Sequence, residues 1–298
     1  MRHLALSLLT LPYLLLPAAS MAHTTESTLQ KIAETGTIRL GYRESEPPFS
    51  YKTPDGKIMG FSMDLCDRIV EGIKAHLKRD DLKVEHVAAT SATRFVLVKS
   101  GKIDIECAAT TNNAERRKMV GFSYPHFATA TQYVTLREDK IRTIEDLAGR
   151  SVAAASGTVN IDQLNSLNRE KQLNIAVIPT KTNLEAFQMV ATGRASAFVW
   201  DGILLAAMIA QSPEPSKFML SEELLSKLEP YGLLVRHGDE EFKAVVNATL
   251  TGIFTGPEIN ALYLKWFNSP IPPDGMNLNL PMSSGLRDAF ADPKEYQE

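Results

Sequence analysis

The chain has 298 residues, of which 44% are hydrophobic and 22% are charged, and its formal net charge is −3. This composition is typical of a folded globular protein of one or two domains and excludes a disordered chain. The near-neutral balance also excludes a broad basic face for nucleic acid, so that recognition of negative charge must depend on a few placed arginines and points to a small ligand.

The first 22 residues predict a cleaved secretory signal peptide. A basic head, Met1–His3, precedes the apolar run Leu4–Pro17, which is too short to span a bilayer, and Ser20 and Ala22 are small residues of the kind that a signal peptidase reads. The alternative is a retained membrane anchor, but prolines interrupt the run and no cysteine follows it that could carry a lipid. We therefore expect a mature protein that is exported to the periplasm.

The elements that follow alternate between strands and helices. The pattern predicts a strand at Thr37–Tyr42, a helix at Phe61–Lys78, a strand at Lys83–Val87, a helix at Ala92–Lys99 and a strand at Ile103–Cys107. Such βαβ alternation predicts an α/β fold with a mostly parallel sheet covered by helices.

A weak internal repeat indicates that this unit occurs twice. Phe95–Ala109 aligns without a gap with Phe187–Asp201, matching a helix, a Ser/Thr-Gly-Lys/Arg turn and a strand. Ala109 then falls opposite Asp201. Two similar α/β lobes would direct the carboxyl ends of two sets of strands toward one cleft, where ligands of open α/β sheets bind.

The polar junction Ile105–Met119 (IECAATTNNAERRKM) has two interpretations. Its threonines and asparagines are residues that cap a helix by accepting hydrogen bonds from unpaired backbone N–H groups. The same junction, followed at once by arginines, can also form a site for an anion. Asn112 and Asn113 are interpreted as caps.

Two cysteines have two open interpretations as well. Cys66 lies on a predicted helix and Cys107 on a predicted strand. In an oxidising compartment they could form a disulfide that joins helix to sheet, and two buried thiols are the alternative.

From Leu29 to about Pro273 the chain resembles the extracellular solute-binding proteins of bacterial amino-acid ABC importers, and most closely their glutamate/aspartate-binding branch. The resemblance rests on eight stretches in order, which are GYRESEPPFSY (Gly41–Tyr51), GFSMDLCDRIV (Gly60–Val70), TSATR (Thr90–Arg94), ECAATTNNAERR (Glu106–Arg117), SGT (Ser156–Thr158), FVWDG (Phe198–Gly202), PYGLLVRHGD (Pro230–Asp239) and YLKWFNSPIPP (Tyr263–Pro273).

The resemblance implies the type II periplasmic-binding-protein fold, with two lobes that are joined by two crossing strands and close on a ligand in the cleft between them. We expect the crossings near Ala130–Leu136 and Tyr231–Val235. The implied limits are 1–22 for the signal peptide, 23–130 and 233–273 for the first lobe, 131–232 for the second lobe and 274–298 for a polar C-terminal tail that wraps the surface.

The resemblance also implies how the backbone of a free amino acid is held. Its carboxylate and ammonium leave water at a large cost unless each meets an opposite charge. Arg116 matches the family arginine that grips the α-carboxylate, and Thr111 and Thr158 match residues that add a hydroxyl and N–H groups. Asp201 matches the ammonium partner, although an aspartate at this position, before a helix, can also be an N-cap. Arg117 and Lys118 are interpreted as solvated helix charges.

Two further arginines imply an acidic ligand. Arg43 and Arg94, with Ser91, match residues that face the side-chain carboxylate in glutamate-binding relatives. Three arginines against two carboxylates suit a dicarboxylic amino acid, whereas a cationic ligand would meet repulsion. Asn183 occupies the position of a histidine that reaches toward the same carboxylate. Ala109 and Val159 replace hydroxyl residues of the branch, so a neutral or polar amino acid is an alternative ligand.

An enzyme on the same fold is the other alternative. Dehydratases that act on cyclic carboxylic acids share this fold, and Glu44, Glu46 or Glu106 could serve as a general acid or base. The sequence has no nucleophile elbow, no HExxH motif and no phosphate-binding glycine loop. We therefore expect a binding protein with no metal and no cofactor, which acts as a monomer and delivers its amino acid to a membrane permease and its ATPase.

Overall fold

The structure of this protein, a computed structural model, describes residues 27–297, so the predicted signal peptide lies outside the described residues. The α-helices are α1 (Thr28–Thr35), α2 (Phe61–Leu77), α3 (Arg94–Lys99), α4 (Ala114–Arg117), α5 (Val159–Glu170), α6 (Asn183–Ala191), α7 (Gly202–Gln211), α8 (Glu240–Thr255), α9 (Glu258–Phe267) and α10 (Ser284–Ala291). None of these helices is long and apolar enough to cross a membrane.

The strands in the same part of the chain group into four sheets. They are β1 (Thr37–Tyr42), β2 (Ser45–Glu46), β3 (Ser50–Lys52), β4 (Ile58–Met59), β5 (Lys83–Ala88), β6 (Ile105–Glu106), β7 (Val120–Phe122), β8 (Phe127–Thr129), β9 (Thr131–Leu136), β10 (Ser151–Ala155), β11 (Ala176–Thr180), β12 (Ala197–Asp201), β13 (Phe218–Leu220), β14 (Glu229–Tyr231) and β15 (Leu234–Arg236).

Two five-stranded sheets with the same pattern of strand directions form the body of the molecule. The first sheet has the order β5-β1-β6-β15-β7 and the second has the order β11-β10-β12-β9-β13. In each, the first three strands are parallel, and the fourth strand pairs antiparallel with both of its neighbours. The units α3–β6 and α6–β12, which carry the internal repeat, occupy equivalent places. The prediction of two similar α/β units is confirmed.

A two-stranded ribbon connects the two sheets. Strands β8 and β14 pair antiparallel, with Phe127 opposite Tyr231. The chain enters the second sheet directly after β8 and returns to the first sheet directly after β14. The expected crossings differ by a few residues, because Thr131–Leu136 is a strand of the second sheet and Leu234–Arg236 is a strand of the first. The chain stays extended from the ribbon strands into the neighbouring sheet strands, so the sequence does not indicate where a strand changes its pairing partner.

Helix α2 covers the first sheet and is linked to it covalently. Its apolar residues recur at helical spacing, and Leu65, Ile69 and Ile73 are buried in the core. Cys66 on this helix forms a disulfide with Cys107, just after β6, with the two Cα atoms 6.1 Å apart. Of the two interpretations of the cysteines, the disulfide is therefore confirmed.

The C-terminal tail, residues 274–298, differs from the prediction. It was expected to be a polar wrap, but it contains α10, whose Leu286 and Phe290 are buried. The Phe290 ring lies 4.5 Å, between centroids, from that of Phe254 on α8. The two apolar residues are four positions apart, so they share one face of the helix. The segment as a whole is polar in composition, and composition does not reveal such a pair.

Candidate functional site

The candidate site lies where the first sheet meets the loop that follows β10 of the second sheet. The guanidinium groups of Arg94 and Arg116 both donate hydrogen bonds to the Gly157 carbonyl, at 3.4 Å and 3.2 Å from their Nη2 atoms. Gly157 has φ +80°, and a Cβ atom added there would lie 2.7 Å from the Ser91 carbonyl oxygen. Only glycine allows this approach without a clash, so the loop closes directly on the turn before α3.

Arg43, at the end of β1, is held by two partners on the first-sheet side of the site. Its Nη2 donates to the Ser91 hydroxyl at 2.7 Å, and its Nη1 lies 2.8 Å from the Glu46 carboxylate in a buried ion pair. The backbone N–H of Arg43 donates to Ser50. The predicted pair of Arg43 and Ser91 is therefore brought together, and Glu46 joins it.

Glu46 is the least expected member of the group. It is 2% exposed, and its Oε2 atom has no hydrogen-bond partner within residues 27–297. Burial raises the pKa of Glu46 to about 7, an effect that Arg43 and Arg94 partly offset. The sequence had indicated Glu46 only as a candidate acid or base of an enzyme.

Arg94 and Arg116 lie side by side against one aromatic ring. Their guanidinium carbons lie 5.0 Å and 5.2 Å from the Phe95 ring centroid. Arg116 also donates from Nη1 to the Thr111 carbonyl at 2.9 Å. Burial, and then the neighbouring charge of Arg94, lower the pKa of Arg116 to about 9. Two buried cations so close together favour an anion between them.

Asp201 ends β12 on the opposite side of the site. Its Oδ2 accepts a hydrogen bond from the Tyr231 hydroxyl at 2.6 Å, and its Oδ1 accepts one from the Asn160 amide at 2.9 Å. It occupies the N-cap position of α7 but makes no capping hydrogen bond with its side chain. Burial raises the pKa of Asp201, and these two hydrogen bonds oppose the rise. The N-cap interpretation of its side chain is therefore wrong.

The other predicted polar residues divide between capping and the site. Thr158 caps α5 by accepting from the Ile161 N–H at 3.4 Å, and Asn113 caps α4 by accepting from the Arg116 N–H at 2.9 Å. Asn112 does not cap, because its side chain accepts from Arg117 instead. Arg117 was interpreted as solvated, but it is half-buried and faces the Tyr296 ring.

Thr111 and Asn183 contribute fewer side-chain hydrogen bonds to the candidate site than the other predicted residues. Thr111 contributes its main chain, which accepts from Arg116 and bridges to Tyr231 on β14. Asn183 begins α6 and is 2% exposed, and its Oδ1 has no hydrogen-bond partner in the described part of the chain. No side-chain hydrogen bond among the described residues connects Asn183 to the other predicted site residues. A buried amide oxygen without a partner requires a donor from elsewhere.

Sequence reasoning missed five members of the site. Glu46 and Glu106 add two buried carboxylates, and Glu106 accepts from Thr110 at 2.8 Å. Asn160 and Tyr231 orient Asp201, and the Gly157 carbonyl accepts from two arginines. Glu46 and Glu106 were indicated only as candidate acids or bases of an enzyme. The other signals were that Gly157 and Tyr231 lie within the SGT and PYG segments. Their contacts join residues that are distant in sequence, so no local pattern reveals them.

Three buried cations and three buried anions therefore meet in one place, namely Arg43, Arg94 and Arg116 with Glu46, Glu106 and Asp201. Charges of both signs, already desolvated and held by hydrogen bonds, can bind the carboxylate and ammonium of a zwitterion. The described residues contain no group of three or more histidine, cysteine or acidic side chains arranged to hold a metal.

Comparison with known proteins connects this geometry to a family. The sequence model of the bacterial extracellular solute-binding proteins, family 3, matches residues 38–269. The L-glutamate/L-aspartate-binding protein of Pseudomonas aeruginosa is 41% identical over 282 residues, which cover 94% of this chain and 93% of that protein. The glutamate/aspartate import solute-binding protein of Escherichia coli K12 is 36% identical over 269 residues, 90% of this chain and 89% of that protein.

A similar solved structure is an ancestral arginine-binding protein bound to arginine. It has a TM-score of 0.69 and 31% sequence identity, and the match covers 78% of this chain and 98% of that one. The matched family region, residues 38–269, includes both five-stranded sheets and the ribbon between them.

Proposed function

Because this chain belongs to family 3 of the bacterial extracellular solute-binding proteins, we propose that it is the solute-binding component of an amino-acid ABC importer and that its ligand is L-glutamate or L-aspartate. The observation that carries the acidic preference is the convergence of three buried arginines on one site. The two relatives described as glutamate/aspartate-binding proteins support it, and these relatives are solute-binding proteins rather than enzymes.

At the backbone end of the ligand, Arg116 binds the α-carboxylate. Its planar guanidinium offers two parallel N–H donors, the geometry that fits a carboxylate. Thr111 adds a hydroxyl and an N–H donor. The Thr158 hydroxyl donates to the Ala155 carbonyl at 2.8 Å, so Thr158 offers its backbone N–H at the start of α5, where the helix dipole favours an anion. Asp201, oriented by Tyr231, binds the ammonium.

At the side-chain end, Arg43 and Arg94 bind the second carboxylate. Ser91 supports this end through its hydrogen bond to Arg43, at 2.7 Å. Asn183 has a buried amide without a partner for its oxygen, and its amide N–H groups are donors that the ligand carboxylate can use.

The working cycle follows from the two lobes. We assign 23–130 and 233–273 to the first lobe, 131–232 to the second and 274–298 to the tail. The lobes rotate about the ribbon of β8 and β14, close on the ligand, and present the closed form to a membrane permease with its ATPase. Residues 1–22 direct the protein to the periplasm, where it acts as a monomer.

Titration calorimetry on the mature protein tests the ligand assignment. The protein is unfolded, dialysed and refolded to remove ligand from the host cell, and then titrated with glutamate, aspartate, glutamine, arginine and a neutral amino acid. We expect one of the two acidic amino acids to bind most tightly. A neutral or basic amino acid that binds more than about tenfold tighter than both would refute the acidic preference.

A second candidate, a neutral or polar amino acid, has specific support. Ala109 and Val159 lack the hydroxyl groups of the glutamate-binding branch, and both are buried. Glu46 already pairs with Arg43 and so reduces the positive charge at the side-chain end. The calorimetric panel separates the two candidates, because glutamine differs from glutamate only in replacing the side-chain carboxylate with an amide. A turnover assay with the same amino acids and with cyclic carboxylic acids tests the enzyme alternative, which a detected product would favour.

A further inference from the structure

The charges of the candidate site balance before any ligand enters. Arg43, Arg94 and Arg116 supply three positive charges, and Glu46, Glu106 and Asp201 supply three negative charges when all are ionised. Each of the six is at most 6% exposed. A zwitterion without a charged side chain keeps this balance, but glutamate or aspartate adds one net negative charge to a site that water does not reach. An unbalanced buried charge is disfavoured, and a buried carboxylate relieves it by taking up a proton.

The three carboxylates differ in how well their ionised forms are stabilised. Asp201 accepts hydrogen bonds from Tyr231 and Asn160, and Glu106 accepts one from Thr110. Glu46 has only its ion pair with Arg43, and its Oε2 atom has no partner in residues 27–297. If Arg43 turns to a ligand carboxylate, Glu46 loses its direct ion-pair partner, which is also the larger of the two arginine charges that favour its ionised form.

Five charged or titratable groups interact electrostatically with the Glu46 carboxyl. The groups are Arg43, Arg94, Glu106, Asp201 and Tyr231. The two arginines favour its ionised form, whereas Glu106 and Asp201 disfavour it. A ligand carboxylate placed between Arg43 and Arg94 would weaken the favourable pair and add a third unfavourable charge.

We propose that Glu46 takes up a proton when an acidic amino acid binds, and that its carboxylic acid then donates a hydrogen bond to the side-chain carboxylate of the ligand. This inference rests on the proposed acidic ligand. The overall step is ligand anion plus Glu46 carboxylate plus one proton from the solvent, giving a complex in which Glu46 is neutral. Arg43 is released to the ligand, and Glu46 changes from a competitor for Arg43 into a hydrogen-bond donor to the ligand carboxylate.

The free protein is suited to such an uptake near neutral pH. With the two sheets in contact, burial raises the pKa of the Glu46 carboxyl to about 7 even without the added charge of a ligand. At pH 8 this carboxyl is mostly ionised, so that binding must bring in close to one proton. Affinity for glutamate therefore falls as the pH rises above 7, because the proton becomes scarcer while the complex still requires it.

Calorimetry in buffers of different ionisation enthalpy measures the uptake directly. L-Glutamate is titrated at pH 8 in phosphate, HEPES and Tris, and the slope of observed enthalpy against buffer ionisation enthalpy gives the number of protons bound. We expect about 0.9 proton per glutamate and an affinity about tenfold weaker at pH 8 than at pH 6. Glutamine, which adds no charge, should bind with a much smaller uptake.

Two variants assign the proton to its residue. Glu46→Gln should reduce the uptake to near zero, make glutamate affinity equal at pH 6 and pH 8, and bind glutamate about tenfold tighter than the wild type at pH 8. Glu44→Gln changes an exposed carboxylate two positions away and should keep the wild-type uptake. Should Glu46→Gln fail to fold, the uptake and pH profile of the wild type still test the proposal.

The outcomes separate this inference from the proposed function. Glutamate binding without proton uptake would overturn the role of Glu46 and leave the acidic ligand intact. Full uptake in Glu46→Gln would also overturn it, because the proton would then enter another group. Failure of both acidic amino acids to bind at pH 6 and pH 8, while a neutral one binds, would refute the proposed function itself.

Discussion

Arg116 shows how one side chain connects distant parts of the site. It joins the Thr111 carbonyl in its own loop to the Gly157 carbonyl of the second sheet. Its position follows from local structure, since Asn113 caps the short helix that carries it. Arg94, on α3, makes the same contact with Gly157. The two arginines differ in their other neighbours, because Arg116 also donates to the Thr111 carbonyl.

That difference predicts a division of labour. Arg116→Ala should weaken binding of every amino acid by more than about a hundredfold, because the α-carboxylate common to all of them loses its charge partner at a cost of about 3–5 kcal/mol. Arg94→Met should damage binding of glutamate and aspartate while sparing glutamine. The measurement is calorimetric titration of both variants with all three ligands. Equal losses for acidic and amide ligands in both variants would mean that the two ends are assigned wrongly.

His126 predicts a stability effect that is independent of the ligand. It is fully buried among aromatic rings beside the ribbon, its Nε2 lies 3.0 Å from the Ser62 hydroxyl, and burial lowers its pKa to about 3. Between pH 6.5 and pH 3 the unfolded chain therefore holds a proton on this imidazole that the folded protein does not hold. The free energy of unfolding should fall by about 1.4 kcal/mol for each pH unit below 6.5 from this residue alone.

Urea unfolding of the wild type and of His126→Gln at pH 7, 6 and 5 measures this contribution. The variant should lose less stability on acidification, by about 2 kcal/mol at pH 5 relative to pH 7. His76→Gln, on the exposed side of α2, is the matched control and should follow the wild type. Parallel profiles for wild type and His126→Gln would contradict the assignment of a neutral buried imidazole.

The loop between β10 and α5 is the element on which closure depends. It presents Gly157 to two arginines and to the Ser91–Ala92 turn, and it continues into a helix whose first turn is capped by Thr158. The loop and helix α5 pack on the second sheet, whereas Gly157 contacts residues of the first-sheet unit. Contacts of this kind exist only when the two sheets lie close together.

Gly157→Ala should therefore weaken binding of all ligands by roughly tenfold or more, because the added methyl group meets the backbone of Ser91 and Ala92 in the closed form. The control is Gly149→Ala. Gly149 has a similar φ of +71°, but a Cβ atom there would meet nothing within 4 Å. Both variants share the backbone cost of alanine at positive φ, about 1–2 kcal/mol. Similar affinities for the two variants would show that the Gly157 contact does not limit closure.

At the scale of the whole molecule, two five-stranded sheets with the same pattern of strand directions meet through a narrow ribbon and a polar site. Aromatic side chains pack at the ribbon, where the Phe49 ring lies 5.0 Å from that of Phe127 and 5.3 Å from that of Tyr231. The disulfide, by contrast, lies wholly within the unit of the first sheet, since it joins α2 to the end of β6. Stability and closure therefore depend on different parts of the chain.

The double variant Cys66→Ala, Cys107→Ala tests this separation. The two cysteines are 41 positions apart, and removing a cross-link over such a loop should lower the free energy of unfolding by about 4 kcal/mol. The dissociation constant of the folded protein should not change, because the substitutions remove no charged or hydrogen-bonding side chain of the site. Urea unfolding and calorimetry measure the two quantities. Equal unfolding midpoints, or two labelled thiols in alkylated unreduced wild type, would contradict the prediction.

The sequence by itself determined the local elements and the family. Thr37–Tyr42 was predicted with its observed bounds and Phe61–Lys78 within one residue, because apolar periodicity and turn residues are properties of neighbouring positions. The resemblance identified the arginines of the site, since each lies within a short conspicuous segment. The pairing of Cys66 with Cys107 remained open, because pairing requires a distance that the sequence does not contain.

Only the tertiary structure decided which groups share the buried site. Glu46 lies three positions after Arg43, but the sequence indicated it only as a candidate acid or base of an enzyme. It becomes part of the site because folding buries it beside Arg43, where it also interacts with Arg94 and Asp201. The Gly157 carbonyl and the Tyr231 hydroxyl likewise acquire partners from the other side of the cleft. The physical reason is that burial and charge balance depend on groups far apart in sequence, whereas helices and strands form from groups that are close.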